Sequence, residues 1–236
     1  MAGLEEHPVL EIGAGLGDLT ASLLRHRERV VAIERDRDLI PLLRERFADA
    51  PGFEVIETNA LTYLLPPTET PWAVVGNLPY HISSRILFHL LDQRHRWDRA
   101  VLMFQKEVAQ RVAAHEPTSP HWSGLSARVS RLCDVSWVGD VSPGCFHPPP
   151  KVDSAVVALT PRSETDGLAD DDFASMVRVV FAERRKTLRN NLKKGIDQPI
   201  ERIDAVLEEL GIDPRLRGER LTVSQLQELT KALILT

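Results

Sequence analysis

The sequence predicts an α/β fold: a doubly wound, mostly parallel seven-stranded sheet followed by a small all-helical domain. Three observations carry this. Five short apolar runs alternate with amphipathic segments, the pattern of a parallel sheet covered on both faces. Two further strand-like runs follow a Pro-interrupted loop, and nearly everything after residue 169 is helical in pattern. In chain order the apolar runs are residues 9–13, 29–34, 53–58, 72–77 and 99–105. VLEIG, VVAIE and WAVVGN are apolar throughout, as strands buried on both sides should be. Residues 16–27, 37–48, 82–93 and 106–114 read as the intervening helices. After the loop at 115–123 come a helix at 125–133 and strands at 134–141 and 153–160. Residues 161–169, rich in Pro, Ser, Asp and Gly, read as a linker, which divides a first domain, 1–162, from a helical one, 163–236.

Composition narrows the class. Of 236 residues, 43% are hydrophobic and 27% charged, which excludes a disordered or fibrous chain. Two cysteines, Cys133 and Cys145, cannot build a disulfide framework or a Cys-rich zinc site, and the histidines show no metal-ligand spacing. No apolar stretch approaches the length of a membrane span, and the first residues, MAGLEEHP, carry acids where a signal peptide carries bases. A cytoplasmic, metal-free, monomeric protein with no membrane partner is the expectation. The net charge of -5 argues against a uniformly basic surface and leaves room for a local basic face.

Glu11-Ile-Gly13-Ala-Gly15-Leu-Gly17 closes the first strand and opens a helix, so the backbone can pass close to a nucleotide-like ligand. The same glycines would also serve a plain strand-to-helix turn. A dinucleotide fingerprint needs a glycine where Asp18 stands. With Glu34 ending the second strand, the pattern suits a nucleoside whose ribose hydroxyls meet a carboxylate, not a pyrophosphate. Gly76-Asn77-Leu78-Pro79-Tyr80 ends the fourth strand, at the carboxyl edge of the sheet where ligands bind in open α/β folds.

Together these residues resemble the S-adenosylmethionine-dependent adenine N6-methyltransferases, and the resemblance implies a Rossmann-like methyltransferase sheet. The chemistry accounts for the residue types. The adenine N6 lone pair is delocalised into the ring. The amide oxygen of Asn77 and a backbone carbonyl, of Leu78 or Pro79, can accept both N6 hydrogens, aiming the nitrogen and favouring pyramidalisation without a strong base. Pro79 fixes the loop, and Tyr80 offers a ring for an extruded base.

Three more motifs narrow the resemblance: residues 105–111 (QKEVAQR), 146–154 (FHPPPKVDS) and 184–192 (RRKTLRNNL). In this order they are similar to the bacterial small-subunit ribosomal RNA adenine N6,N6-dimethyltransferases, from Val9 to the C-terminus. That family implies S-adenosylmethionine as cofactor, two adjacent adenosines in the 3′-terminal hairpin of 16S ribosomal RNA as substrate, and a link to ribosome biogenesis. Carried over, Glu11, Gly13, Gly15, Gly17 and Asn77 line the cofactor, Glu34 takes its ribose, and Asn77 to Tyr80 form the target site. Phe146 is either a second aromatic near the flipped base or a core phenylalanine. Asn59 stands where the family has Asp against the adenine amino group, and its oxygen can still accept that hydrogen bond. Ala14 and His81 are milder departures. A G-Q-x-F-L-like segment that the family carries ahead of its first strand is not found before Val9, which leaves three readings open: a misassigned start, a trimmed chain or a catalytically weakened assembly factor.

Residues 178–194 hold seven bases and one acid. On one helix Arg185, Arg189 and Lys193 share a face, with Phe181, Leu188 and Leu192 inward. Arg184, Arg185, Lys186, Arg189 and Lys193 are the expected RNA contacts, against a merely solvated face. Another alternative, an erythromycin-resistance-type enzyme acting on large-subunit RNA, shares Asn-Leu-Pro-Tyr but fits the later motifs less well. A DNA adenine methyltransferase or a nicotinamide oxidoreductase fits worse still.

Overall fold

The computed structural model describes residues 7–163 and 167–235. Its strands are β1 (Val9–Ile12), β2 (Val30–Glu34), β3 (Phe53–Glu57), β4 (Trp72–Asn77), β5 (Trp97–Gln105), β6 (Cys133–Val141) and β7 (Ser154–Pro161). They form one sheet in the order β3-β2-β1-β4-β5-β7-β6. The pairings β1 to β2, β1 to β4, β2 to β3 and β4 to β5 are parallel, and β7 lies antiparallel on β5. Val9, Leu10, Val30 to Ile33, Trp72 and Val74 are buried, which is why these runs could be apolar without alternation. Sheet order reverses between β1 and β4. Their carboxyl ends therefore lie side by side, in register Ile12 to Gly76.

The helices flanking this sheet are α1 (Asp18–Leu24), α2 (Leu39–Arg46), α3 (Ser83–Asp92) and α4 (Lys106–Ala113). They are followed by α5 (Gly124–Leu132), α6 (Asp170–Val180), α7 (Leu188–Gly195), α8 (Ile200–Glu209) and α9 (Val223–Leu233). Capping boxes start two of them: Ser123 with Ser126 at α5 and Thr222 with Gln225 at α9.

By compactness the chain falls into two units. One holds the residues up to Ala109 and Asp134–Pro161; the other holds Gln110–Cys133 and the residues after Pro161. A division of the chain at a single point near 162 does not describe this, because the segment around α5 gives its apolar side chains to the second unit. Trp122 and Ala127 pack in one cluster with Phe173, Val177, Leu188, Ile203, Leu226 and others of α6 to α9. Arg131 of α5 adds an ion pair to Asp170 at 2.5 Å and a hydrogen bond to the Leu168 carbonyl at 2.6 Å. Of the sequence-assigned linker, residues 164–166 lie outside the described residues.

A second difference concerns the basic stretch. The spacing predicts one helix carrying Phe181, Arg185, Leu188, Arg189, Leu192 and Lys193, but α6 stops at Val180 and α7 starts at Leu188. The chain turns between them, and the buried amide of Asn191 spans the turn, donating to the Val180 carbonyl at 2.9 Å and to that of Glu183 at 3.3 Å. Leu188 and Leu192 face inward as the pattern predicts, and Phe181 is half-buried.

Candidate functional site

The turn out of β1 places three glycines in the left-handed region, Gly13 at φ 75°, Gly15 at 57° and Gly17 at 86°. Gly17 is doubly constrained: a Cβ there would stand 2.7 Å from Phe47 Cε2 and 2.9 Å from Leu43 Cδ2, so α2 packs directly on the loop. At Gly15 a Cβ would meet nothing within 4 Å, and at Gly13 only the Asn77 carbonyl oxygen at 3.9 Å. The loop thus has open space beside it and the end of β4 as a neighbour.

Glu34, the last residue of β2, fixes this loop from the side. One carboxylate oxygen accepts from the Gly15 N–H at 3.0 Å, and the other accepts from the N–H groups of Arg35 at 2.7 Å and Asp36 at 2.9 Å. Arg46 of α2 also clasps the loop, donating to the Leu16 carbonyl and to Asp18. Glu11 has a different setting. Its side chain is 1% exposed and accepts a hydrogen bond from Thr20 Oγ1 at 2.6 Å. Burial in apolar surroundings pushes its carboxyl up to about 7, against the pull of the Thr20 hydrogen bond and with a smaller push from the Glu34 charge. After β3, Asn59 turns its side-chain oxygen onto the Leu61 N–H at 3.0 Å, which leaves that oxygen a second lone pair.

The β4 end is held from several directions. Asn77 is exposed, whereas the Leu78 side chain is fully buried and its N–H donates to the Met103 carbonyl of β5 at 3.4 Å. The Ile82 N–H closes the turn on the Pro79 carbonyl, and Ser83 Oγ donates to the Tyr80 carbonyl at 3.1 Å. The Tyr80 hydroxyl and Ser154 Oγ lie 2.7 Å apart. Ser154 opens β7 and pairs with Gln105, while the Lys106 N–H donates to the Asp153 carbonyl at 2.9 Å. The Lys106 ammonium meets Asp140 at 2.6 Å, which raises the lysine and holds the aspartate below the usual carboxylate range. Three of the sequence motifs thus converge on one edge of the sheet. Phe146 follows a short turn at Pro143–Cys145 and is half-buried, so it is not a core phenylalanine.

Sequence reasoning named neither Thr20, Arg46 nor Ser154 as part of this edge. Ser154 alone had a signal, as the last residue of the FHPPPKVDS run.

In the second unit several residues of the expected basic face have carboxylate partners. Arg189 is spent on Asp204 through two hydrogen bonds of 2.6 and 2.7 Å, which hold that carboxyl below its ordinary value. Arg184 lies 3.5 Å from Glu219, and Lys194 is 2.7 Å from Glu183. Arg185, Lys186 and Lys193 are exposed and have no ion pair among the described residues. Arg184, Arg185 and Lys186 precede α7 and, with Glu183, line an open cleft of about 470 Å³.

Among the described residues no three His, Cys, Asp or Glu side chains gather as a metal site, and no helix is long and apolar enough to cross a membrane.

Comparison with known proteins gives consistent results. The family described as ribosomal RNA adenine dimethylase matches residues 2–234. A relative from Anaeromyxobacter, named ribosomal RNA small subunit methyltransferase A, is 43% identical over 95% of this chain and 83% of its own. The crystal structure of a dimethyladenosine transferase from Plasmodium falciparum superposes with a TM-score of 0.82 at 30% identity, over 95% of this chain and 89% of that one. The 23S rRNA methyltransferase ErmE does so with a TM-score of 0.70, also at 30% identity, over 97% and 91%.

Proposed function

Because the chain belongs to the ribosomal RNA adenine dimethylases, S-adenosylmethionine-dependent enzymes that act on ribosomal RNA, we propose that it dimethylates N6 of two adjacent adenosines in the 3′-terminal hairpin of 16S RNA. It does so in the cytoplasm, as a monomer and as a step of ribosome biogenesis. The observation that carries the site reading is the β1 to β4 register. It sets the glycine loop against Asn77, so a cofactor on the loop and a base at Asn77 are neighbours.

The residues present fit the cofactor. The side-chain-free space at Gly13 and Gly15 is a cradle that a Cβ would begin to fill, and Glu34 is fixed beside it as an acceptor for ribose hydroxyls. Asn59 keeps a lone pair for the adenine amino group. When bound, S-adenosylmethionine supplies an activated methyl on its sulfonium sulfur. The protein's part is to position the acceptor. Asn77 Oδ1 and the carbonyl of Leu78 or Pro79 accept the N6 hydrogens, so that the nitrogen lone pair points out of the conjugated plane. Tyr80 stacks on the extruded base, with Phe146 as a second aromatic surface. Glu11, enclosed and on Thr20, acts under the loop and not on its open side. The N6 proton passes to solvent, since catalysis here needs preorganised acceptors and no strong base. Arg184, Arg185, Lys186 and Lys193 meet RNA phosphates, and Arg189 serves the fold through Asp204.

The test is methyl transfer from labelled cofactor to purified small and large ribosomal subunits lacking the modification. Label on adenosines of the small subunit alone is the expected result; label on the large subunit alone overturns the substrate assignment. Asn77→Ala should lower turnover by about two to three orders of magnitude, as for loss of a positioned acceptor, with cofactor affinity by calorimetry almost unchanged.

A further inference from the structure

The geometry points to Ser154 as a positioning residue of this reaction, one whose hydroxyl tethers the Tyr80 ring in the orientation that receives the base. The inference rests on the proposed stacking role of Tyr80. It adds a contact between residues 74 positions apart that no local pattern announces.

Ser154 is 0% exposed, so its hydroxyl is immobilised by what surrounds it and must find a partner in the protein. Its backbone is anchored twice over: the antiparallel register sets Ser154 against Gln105, and one residue earlier Asp153 receives the Lys106 N–H. A 2.7 Å contact joins this fixed hydroxyl to the Tyr80 hydroxyl, and either oxygen can be the donor. At the other end of the tyrosine, the backbone is pinned by the buried Leu78 side chain and by Ser83. The ring is thereby held at both ends. Backbone anchoring sets where the ring begins, whereas the Ser154 contact sets where it points. A platform already aimed loses less rotamer entropy when the base arrives, and its edge does not swing into the space the base must enter. The β7 strand, antiparallel in an otherwise parallel sheet core, places its first residue at the carboxyl edge, where this contact is needed.

Ser154→Ala and Tyr80→Phe remove the same hydrogen bond from its two sides and leave the ring in place. Each should lower kcat/KM for small subunits by about 3- to 10-fold, the scale of one hydrogen bond. The double variant should be no worse than the poorer single one, and cofactor affinity should stay within about twofold. Tyr80→Ala, which removes the ring, should fall much further. Because the chain has two tyrosines, ring-labelled tyrosine gives an NMR spectrum of two residues, in which Tyr80 is assigned by its loss in Tyr80→Phe. In Ser154→Ala the Tyr80 signals should shift while those of Tyr63 hold, a result that does not depend on turnover. Unmoved Tyr80 signals, losses that multiply in the double variant, or a parallel loss of cofactor affinity would each overturn the positioning role. An inactive wild type with the Tyr80 shift intact would instead overturn the reading of the site's function.

Discussion

The glycine loop and the basic segment after α6 are both suited to hold part of a nucleotide, yet they are held in opposite ways. The loop is organised by its backbone: three left-handed glycines, an N–H on the Glu34 carboxylate and a helix packed where a Cβ would be. The basic segment is organised by side-chain charge: Arg184, Arg189 and Lys194 sit near carboxylates, and Arg185 and Lys186 lie exposed on a turn. A backbone-built site tolerates no change of residue, since φ and close approach admit only glycine. A charge-built one is a reservoir whose members are interchangeable unless a particular partner claims them.

The largest effect that sharpens this contrast is Gly17→Ala. Left-handed strain and the 2.7 Å approach to Phe47 together should cost roughly 3–4 kcal/mol in chemical denaturation. An alanine tolerated there would mean that the loop is as plastic as the basic turn.

Next comes Glu11. The folded protein holds this proton more tightly than the unfolded chain does, so the burial penalty is absent below pH 4.5, grows as pH rises toward about 7, and is full above that. Glu11→Gln keeps an acceptor for Thr20 and removes the charge. It should raise stability by about 3 kcal/mol at pH 8 and by little at pH 4. Urea titrations at the two pH values check this, and an equal gain at both would place the Glu11 carboxyl outside its buried setting.

Glu34→Ala should weaken cofactor binding by about 1.5–3 kcal/mol, the cost of charge-assisted hydrogen bonds, as calorimetry would read. Since the same carboxylate steadies Gly15, the variant should also bind with a larger ordering entropy.

The smallest effects belong to the basic segment. Arg185→Ala with Lys186→Ala should flatten the salt dependence of small-subunit binding by roughly 0.7–0.9 for each phosphate no longer neutralised. Arg189→Ala should leave the slope alone and act through the broken Asp204 pair. Affinities at several salt concentrations separate the two, and equal slopes in all variants would return the whole segment to solvated surface.

What could be foreseen from the sequence follows the same division. Strand runs, the strand count and the positions of Gly13, Gly15, Glu34 and Asn77 were legible because each constraint is local: burial on both faces makes a run apolar, and a left-handed turn calls for glycine. The ion pairs of the basic stretch were not legible because Asp204 and Glu219, the partners of Arg189 and Arg184, lie 15 and 35 residues further on, and spacing along a helix says nothing of them. The turn at Phe181–Thr187 was hidden for a similar reason. It contains no glycine or proline, and what stabilises it is the tertiary reach of Asn191. Thr20 was silent, and Ser154 was marked only as the end of the FHPPPKVDS run, because a hydroxyl's role is revealed by its partner.

The looping of residues 110–133 into the second unit bears on how the chain is made. A ribosome delivers α5 well before α6 to α9, so Trp122 and its neighbours emerge without the side chains that will cover them. The first sheet must likewise wait for β7 before β5 gains its antiparallel neighbour. The first unit is complete once β7 has emerged, whereas the second cannot close its core until α6 to α9 have been made, late in synthesis. A fragment ending at residue 162 would accordingly carry an uncovered apolar segment and be prone to aggregate, even though it contains every residue of the glycine loop and the Asn77 turn.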